Sequence, residues 1–118
     1  MESLTYHKAI AADIEMMCEM RVAFLTEYLG KQSEEAENLL RENLLSYFKT
    51  SLENNSAICW YAKSGNEVVG IGFIEIHDQP GNFKNPTGKM GHVMNMYTLS
   101  SFRKNGICTN ILNRLVAS

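Results

Sequence analysis

The chain has 118 residues, 45% hydrophobic and 20% charged, enough for one domain with a real core and too apolar for overall disorder. Eight glycines and two prolines exclude collagen-like or low-complexity sequence, and no apolar run reaches the roughly 18 residues of a membrane-spanning helix. The net charge of -2 is uneven: residues 1–60 carry five basic against ten acidic side chains and residues 61–118 six against three, a basic excess too small for a nucleic-acid surface but suited to a small phosphorylated ligand.

The start, Met1 to Lys8, has no basic segment followed by an apolar one, so no secretory signal is read there and the expected location is the cytoplasm. Leu4 to Ile10 reads as a short edge strand. From Asp13, an expected N-cap, apolar residues recur at Ile14, Met17, Cys18, Phe24, Leu25, Tyr28 and Leu29, the spacing of an amphipathic helix that ends at Gly30. Ser33 starts a second helix. Glu34, Glu35 and Glu37 complement its dipole on a solvated face, and Leu40, Leu44, Tyr47, Phe48 and Leu52 form its apolar face before Asn54-Asn55.

The pattern changes at residue 57. Ala57 to Ala62 is rich in β-formers, Ser64-Gly65-Asn66 is turn chemistry, and Glu67 to His77 is β-rich again, so the pair reads as a hairpin. Both faces of the second strand are apolar, which requires helices on both sides of the sheet. Asp78 to Gly91 holds both prolines and reads as a loop, with Gln79 to Pro86 placed to close over a ligand or simply to connect. His92 to Leu99 reads as a further strand, and Ile107, Ile111, Leu112, Leu115 and Val116 mark a final helix. The expected fold is therefore α/β (α+β), a mostly antiparallel sheet flanked by helices on both faces in the order β-α-α-β-β-β-α, with residues 1–118 forming one domain.

Cys18, Cys59 and Cys108 are odd in number and far apart, and read as small buried hydrophobes with neither a disulfide framework nor a metal site. Met16, Met17 and Met20 read as helix core, and Trp60 as core or cavity wall. The chemistry points to Met96–Thr109. A strand that runs through a Gly-containing loop into a helix presents unpaired backbone N–H groups and the positive helix end to an anion. Arg103 and Lys104 add charge at that place and Gly106 permits close approach. Gly70-Ile71-Gly72 lacks the third glycine and following helix of a dinucleotide site, and no G-x-x-x-x-G-K-[ST] occurs.

The run from Asn95 to Cys108 resembles the acetyl-CoA-binding motif of the GCN5-related N-acetyltransferases (GNAT): a hydrophobic strand, a turn, then Arg or Gln, two residues, Gly, one residue, and Gly or Ala. Arg103, Gly106 and Cys108 fall on those positions, with Cys108 in place of the usual small residue. The resemblance extends to the element order and spans nearly the whole chain. It implies an acyltransferase that moves an acetyl group from acetyl-CoA to a primary amine of a small molecule or peptide by direct attack. No metal, nucleic acid or membrane is implied.

By the same resemblance, backbone N–H groups over Lys104, Asn105, Gly106, Ile107, Cys108 and Thr109 hold the pyrophosphate of coenzyme A. Main-chain groups around Met96, Tyr97, Thr98 and Leu99 pair with the pantetheine arm as an added strand, and one of their N–H groups polarises the thioester carbonyl. Tyr97 packs beside the cofactor. His92 and Glu75 are the candidate acid–base residues, each weighed against a surface or packing role. Family members continue past the motif helix with further strands and a helix, whereas this sequence stops at Ser118, so an open site and an exposed sheet edge are expected. Three readings stay open: a piece of an active enzyme, a truncated and catalytically silent domain that binds CoA or a protein, and a homodimer that completes the sheet.

Overall fold

The computed structural model describes residues 3–117; Met1, Glu2 and Ser118, which enter the expectations about the start and end of the chain, lie outside them. Strand β1 (Leu4–Lys8) pairs antiparallel with β2, and a 3-10 turn at Ala11–Asp13 leads into helix α1 (Ile14–Leu29). Asp13 sits at the expected boundary but does not cap. Its carboxylate instead accepts from the Ile10 N–H at 2.9 Å and from the Tyr61 hydroxyl at 3.2 Å, so it closes the preceding turn and ties it to the sheet. Helix α1 buries Met17, Cys18, Met20 and Val22 and ends at Gly30, whose N–H bonds the Thr26 carbonyl. The expected apolar stripe fails at its end. Tyr28 is 77% exposed and Leu29 is also exposed, because the last turn of α1 overhangs a cleft instead of the core.

Helix α2 (Glu34–Glu53) begins where Ser33 Oγ accepts from the Ala36 N–H at 3.1 Å. Ser33→Ala leaves that donor without its acceptor and is expected to cost about 1 kcal/mol; a lowered thermal midpoint would show it, and an unchanged one would remove the cap from the account. Glu37 departs from the solvated face assigned to it. Its side chain is only 11% exposed, held between Lys31 at 2.6 Å and Arg41 at 3.5 Å, and Arg41 reaches Glu19 of α1 at 2.8 Å. The apolar face of α2 is narrower than its sequence suggests. Phe48 and Ser51 are buried, Leu44 and Leu52 partly so, while Tyr47 is exposed and turns its hydroxyl to the sheet.

Strand β2 (Ala57–Ser64) and β3 (Glu67–Asp78) form a hairpin closed by Gly65-Asn66, so β2 runs two residues past its expected end. Strand β4 (Lys89–Thr98) begins three residues before His92 and stops one before Leu99. Lys89, Met90 and Gly91 pair with Asp78, His77 and Ile76, ladder bonds that their composition does not advertise. The expected loop thus shrinks to residues 79–88. The sheet is antiparallel in the order β1-β2-β3-β4, with β4 at an edge.

Helices α1 and α2 cover one face over a core that includes Met17, Phe48, Ile71, Phe73 and Tyr97. Helix α3 (Ile107–Ala117) covers the other, burying Ile107, Ile111 and Leu115 against Ala62 and Val69. Those three recur at i, i+4 and i+8, one stripe of a helix. Leu112 and Val116, also expected on that face, are exposed, and Trp60 is half-buried with the Arg114 guanidinium 5.7 Å from its ring. Strand β3 serves both cores, as its double apolar face requires.

Candidate functional site

The site begins with an irregularity in the sheet. Phe73 pairs with Met94 and Ile71 with Tyr97, so β4 carries one extra residue where Asn95 and Met96 lie opposite Gly72. Such a bulge bends its strand and breaks the ladder locally. Gly72 makes room for it: a Cβ there would stand 2.3 Å from Met96 Sδ and 3.0 Å from Ile111 Cγ2. Beyond the bulge, the Leu99 N–H bonds the Val69 carbonyl at 2.9 Å, so Leu99 faces β3 and Thr98 faces the open edge. The Thr98 carbonyl there accepts from Arg103 Nε at 2.9 Å.

After β4 the chain makes a 3-10 turn at Ser100–Phe102, and Lys104 and Gly106 both take left-handed backbone angles, with φ of 69° and 74°. The Asn105 amide donates to the Phe102 and Arg103 carbonyls and holds this loop closed. In α3 the Asn110 N–H is bonded to the Gly106 carbonyl at 3.0 Å, so the N–H groups of Ile107, Cys108 and Thr109 precede the intrahelical ladder. They point out of the helix start with the positive end of its dipole.

These pieces surround one cleft of about 540 Å³, lined by Met96, Tyr97, Thr98, Arg103, Lys104, Gly106, Ile107, Cys108 and Thr109 and walled on the far side by α1. Of the binding residues expected from the sequence, Leu99 and Asn105 do not line it; Leu99 packs into the cores and Asn105 braces the loop. Cys108 is not a buried hydrophobe. It is partly exposed in the cleft wall, with Sγ 2.9 Å from Thr98 Oγ1, while Cys18 and Cys59 are buried and burial pushes the Cys59 thiol up to about 12.

Arg103 also departs from expectation. Its guanidinium, read as charge offered to an anion, is tied to the Thr98 carbonyl and, at 2.5 Å, to Glu27 of α1, and lies 6.0 Å from the Tyr97 ring centre. Hydrogen bonds from Arg103 and Tyr97 hold the Glu27 carboxyl below the usual carboxylate range. Burial, followed by the bond to Glu27, pushes the Tyr97 phenol up, so it remains a donor. Phe24, Glu27 and Tyr28, together with Phe102, complete the lining. Glu27 was missed in the sequence. The available signal was an acid at i+3 in a helical aromatic pair, Phe24 and Tyr28, which places all three on one face.

His92 and Glu75 are brought together as cross-strand partners on β4 and β3, but neither lines the cleft. Glu75 accepts from the Tyr47 hydroxyl at 2.5 Å and pairs with His77 Nε2 at 2.7 Å; His77, read in the sequence only as the end of a strand, lies 6.4 Å ring to ring from His92. Burial, then the bond to Glu75, pushes the Tyr47 phenol up to about 12. The turn at Gln79–Pro86 tips the β3–β4 hairpin, at the opposite end of β4 from the cleft and about 30 Å along the strand. Among the described residues no group of three His, Cys, Asp or Glu is placed to hold a metal ion, and no helix is long and apolar enough to cross a membrane.

A family model described as acetyltransferase (GNAT) family matches residues 15–118. Among solved structures, a predicted acetyltransferase from Clostridium acetobutylicum, solved with acetyl-CoA, is 31% identical with a TM-score of 0.86, over 98% of this chain and 72% of that one. A GCN5-related N-acetyltransferase from Ralstonia eutropha is 20% identical with a TM-score of 0.81, over 98% and 74% of the two chains. A ribosomal-protein-alanine N-acetyltransferase from Brucella melitensis, 15% identical over 98% and 70%, has a TM-score of 0.64, and these last two show the fold alone. A search of curated proteins gave no match.

Proposed function

The chain belongs to the acetyltransferase (GNAT) family and is an acyltransferase of that type, and from this premise we propose that it transfers the acetyl group of acetyl-CoA to a primary amine of a small molecule or peptide. One observation carries the reading: the bulged, open edge of β4 and the amino end of α3 border the same cleft. An arm bearing amides pairs with a free strand edge, and a pyrophosphate suits free N–H groups at a helix start. The neighbour solved with acetyl-CoA supports the same donor.

In this reading the N–H groups from Lys104 to Thr109 hold the phosphates, and main-chain groups from Met96 to Thr98 hold the arm. The neutral amine attacks the thioester carbonyl, the new N–C bond forms, the C–S bond breaks, and the proton that the acylated nitrogen sheds goes to the departing sulfur, so that CoA leaves as its thiol. A backbone N–H beside the bulge stabilises the oxygen that gains charge in the transition state. The amine must first lose a proton. Glu75 is committed to two partners, Tyr47 and His77, whereas His92 is exposed across the strand pair. His92 stands four residues before Met96 on β4, outside the cleft lining, so it takes the proton from an amine bound along that strand beside the cleft, and Glu75 orders the histidine face. Residues 1–118 act as one domain, and the three free cysteines support a reducing compartment such as the cytoplasm.

Acetyl-CoA mixed with a panel of amines is expected to release free thiol, and the Arg103→Ala, Gly106→Val double variant is expected to release none. No release with any amine, while CoA still binds, would sink the transferase reading and leave a silent CoA-binding domain. Light scattering decides whether a second copy covers the β4 edge.

A further inference from the structure

Resting on the coenzyme reading above, we infer that Glu27 is a positioning residue for coenzyme binding: it competes with the coenzyme's phosphates for the Arg103 guanidinium. Three observations lead there. The guanidinium is engaged on two sides, Nε to the Thr98 carbonyl at 2.9 Å and a terminal nitrogen to Glu27 at 2.5 Å. The Thr98 carbonyl faces the open edge of β4, so Arg103 covers an acceptor that an incoming amide arm would use. Finally, the pair lies in the cleft lining and is about half exposed, 46% for Arg103 and 43% for Glu27, so solvent and ligand reach both partners.

The charge balance gives the pair its effect. Arg103 and Lys104 are the cations of the cleft wall, and Glu27 neutralises one of them. A planar guanidinium binds phosphate oxygens with the same two-pronged geometry it uses for carboxylate. Exchange of Glu27 for phosphate therefore keeps Arg103 paired and adds a second cation to the anion-binding end of the cleft, and a guanidinium that turns toward the phosphate also releases its Nε from the Thr98 carbonyl. Glu27 keeps the Tyr97 phenol as its remaining donor.

A simple strut from α1 to the loop would behave in the opposite way, since cutting it would loosen the cleft and weaken binding. The sign of one substitution separates the two. Titration calorimetry of the full chain with CoA is expected to give a dissociation constant about two- to fivefold lower for Glu27→Gln, the range set by a solvent-exposed ion pair. Glu27→Asp, which keeps the charge, should return the value toward wild type. In an Arg103→Gln background, Glu27→Gln should bring no such gain.

Equal tightening in both backgrounds would mean that Glu27 acts only through its general charge, and would overturn the competition. Unchanged or weaker binding by Glu27→Gln in the original background would overturn it too, with the coenzyme reading intact. A wild-type chain that does not bind CoA would overturn the coenzyme reading and this inference together.

Discussion

Gly72→Val is expected to cost the folded state about 1–3 kcal/mol, the usual range for overpacking a tight site, and to lower kcat/KM for acetyl transfer about a hundredfold. The Cβ alone would stand 2.3 Å from Met96 Sδ and 3.0 Å from Ile111 Cγ2. Met96 can change rotamer, but Ile111 is sealed between α3 and the sheet, so valine's two further carbons must move the bulge or lift the helix. Both border the cleft, since Met96 sits in the bulge and α3 supplies the N–H groups at its amino end. Reacting groups displaced by about 1 Å lose rates of that order. Urea unfolding and thiol-release kinetics check the two parts separately. Wild-type kcat/KM would show that the bulge does not set the geometry of the reaction. A Met96→Ala partner substitution, which returns volume, should recover part of the lost stability and little of the rate.

The sequence made the element order readable because each signal was local. Ser33 and Gly30 mark helix ends through their own hydrogen bonds, and the stripe Ile107, Ile111, Leu115 sets the buried face of α3. The start of β4 was not readable, because Lys89, Met90 and Gly91 become strand only through pairing with residues 76–78. The same limit applies to the site. Lys104, Gly106, Ile107, Cys108 and Thr109 line the cleft and could be named together because the motif that marks them is continuous in the chain, whereas Asn105, named with them, braces the loop. Arg103 could be named but not aimed, since its direction depends on Glu27, 76 residues earlier. Tyr28 misled for a related reason: helical spacing shows that Phe24 and Tyr28 share a face, but not that a cleft, and not the core, lies beside Tyr28.

Phe48→Ala is expected to remove about 3–5 kcal/mol, the cost of emptying a large aromatic site in a core. Phe48 is 1% exposed and meets the Phe73 ring edge to face at 5.4 Å and the Tyr47 ring at 5.3 Å. Little else on α2 shares that burden, since Leu39 and Leu45 are exposed and Leu44 and Leu52 are only partly buried. For a domain whose whole stability is about 5–15 kcal/mol, the loss should move the urea midpoint far down with an unchanged slope. Tyr47 loses its packing partner, so the hydrogen bond to Glu75 should weaken and the two effects should not add. The cleft contains no residue of α2. The fraction of Phe48→Ala that remains folded should therefore bind CoA with the wild-type dissociation constant, the reverse of Gly72→Val, where a smaller loss of stability accompanies a larger loss of function. A cost under about 1 kcal/mol would mean that α2 is held to the sheet by contacts other than Phe48. A weakened CoA affinity in the folded fraction would mean that the two faces of the sheet are coupled through β3, the strand that feeds both cores.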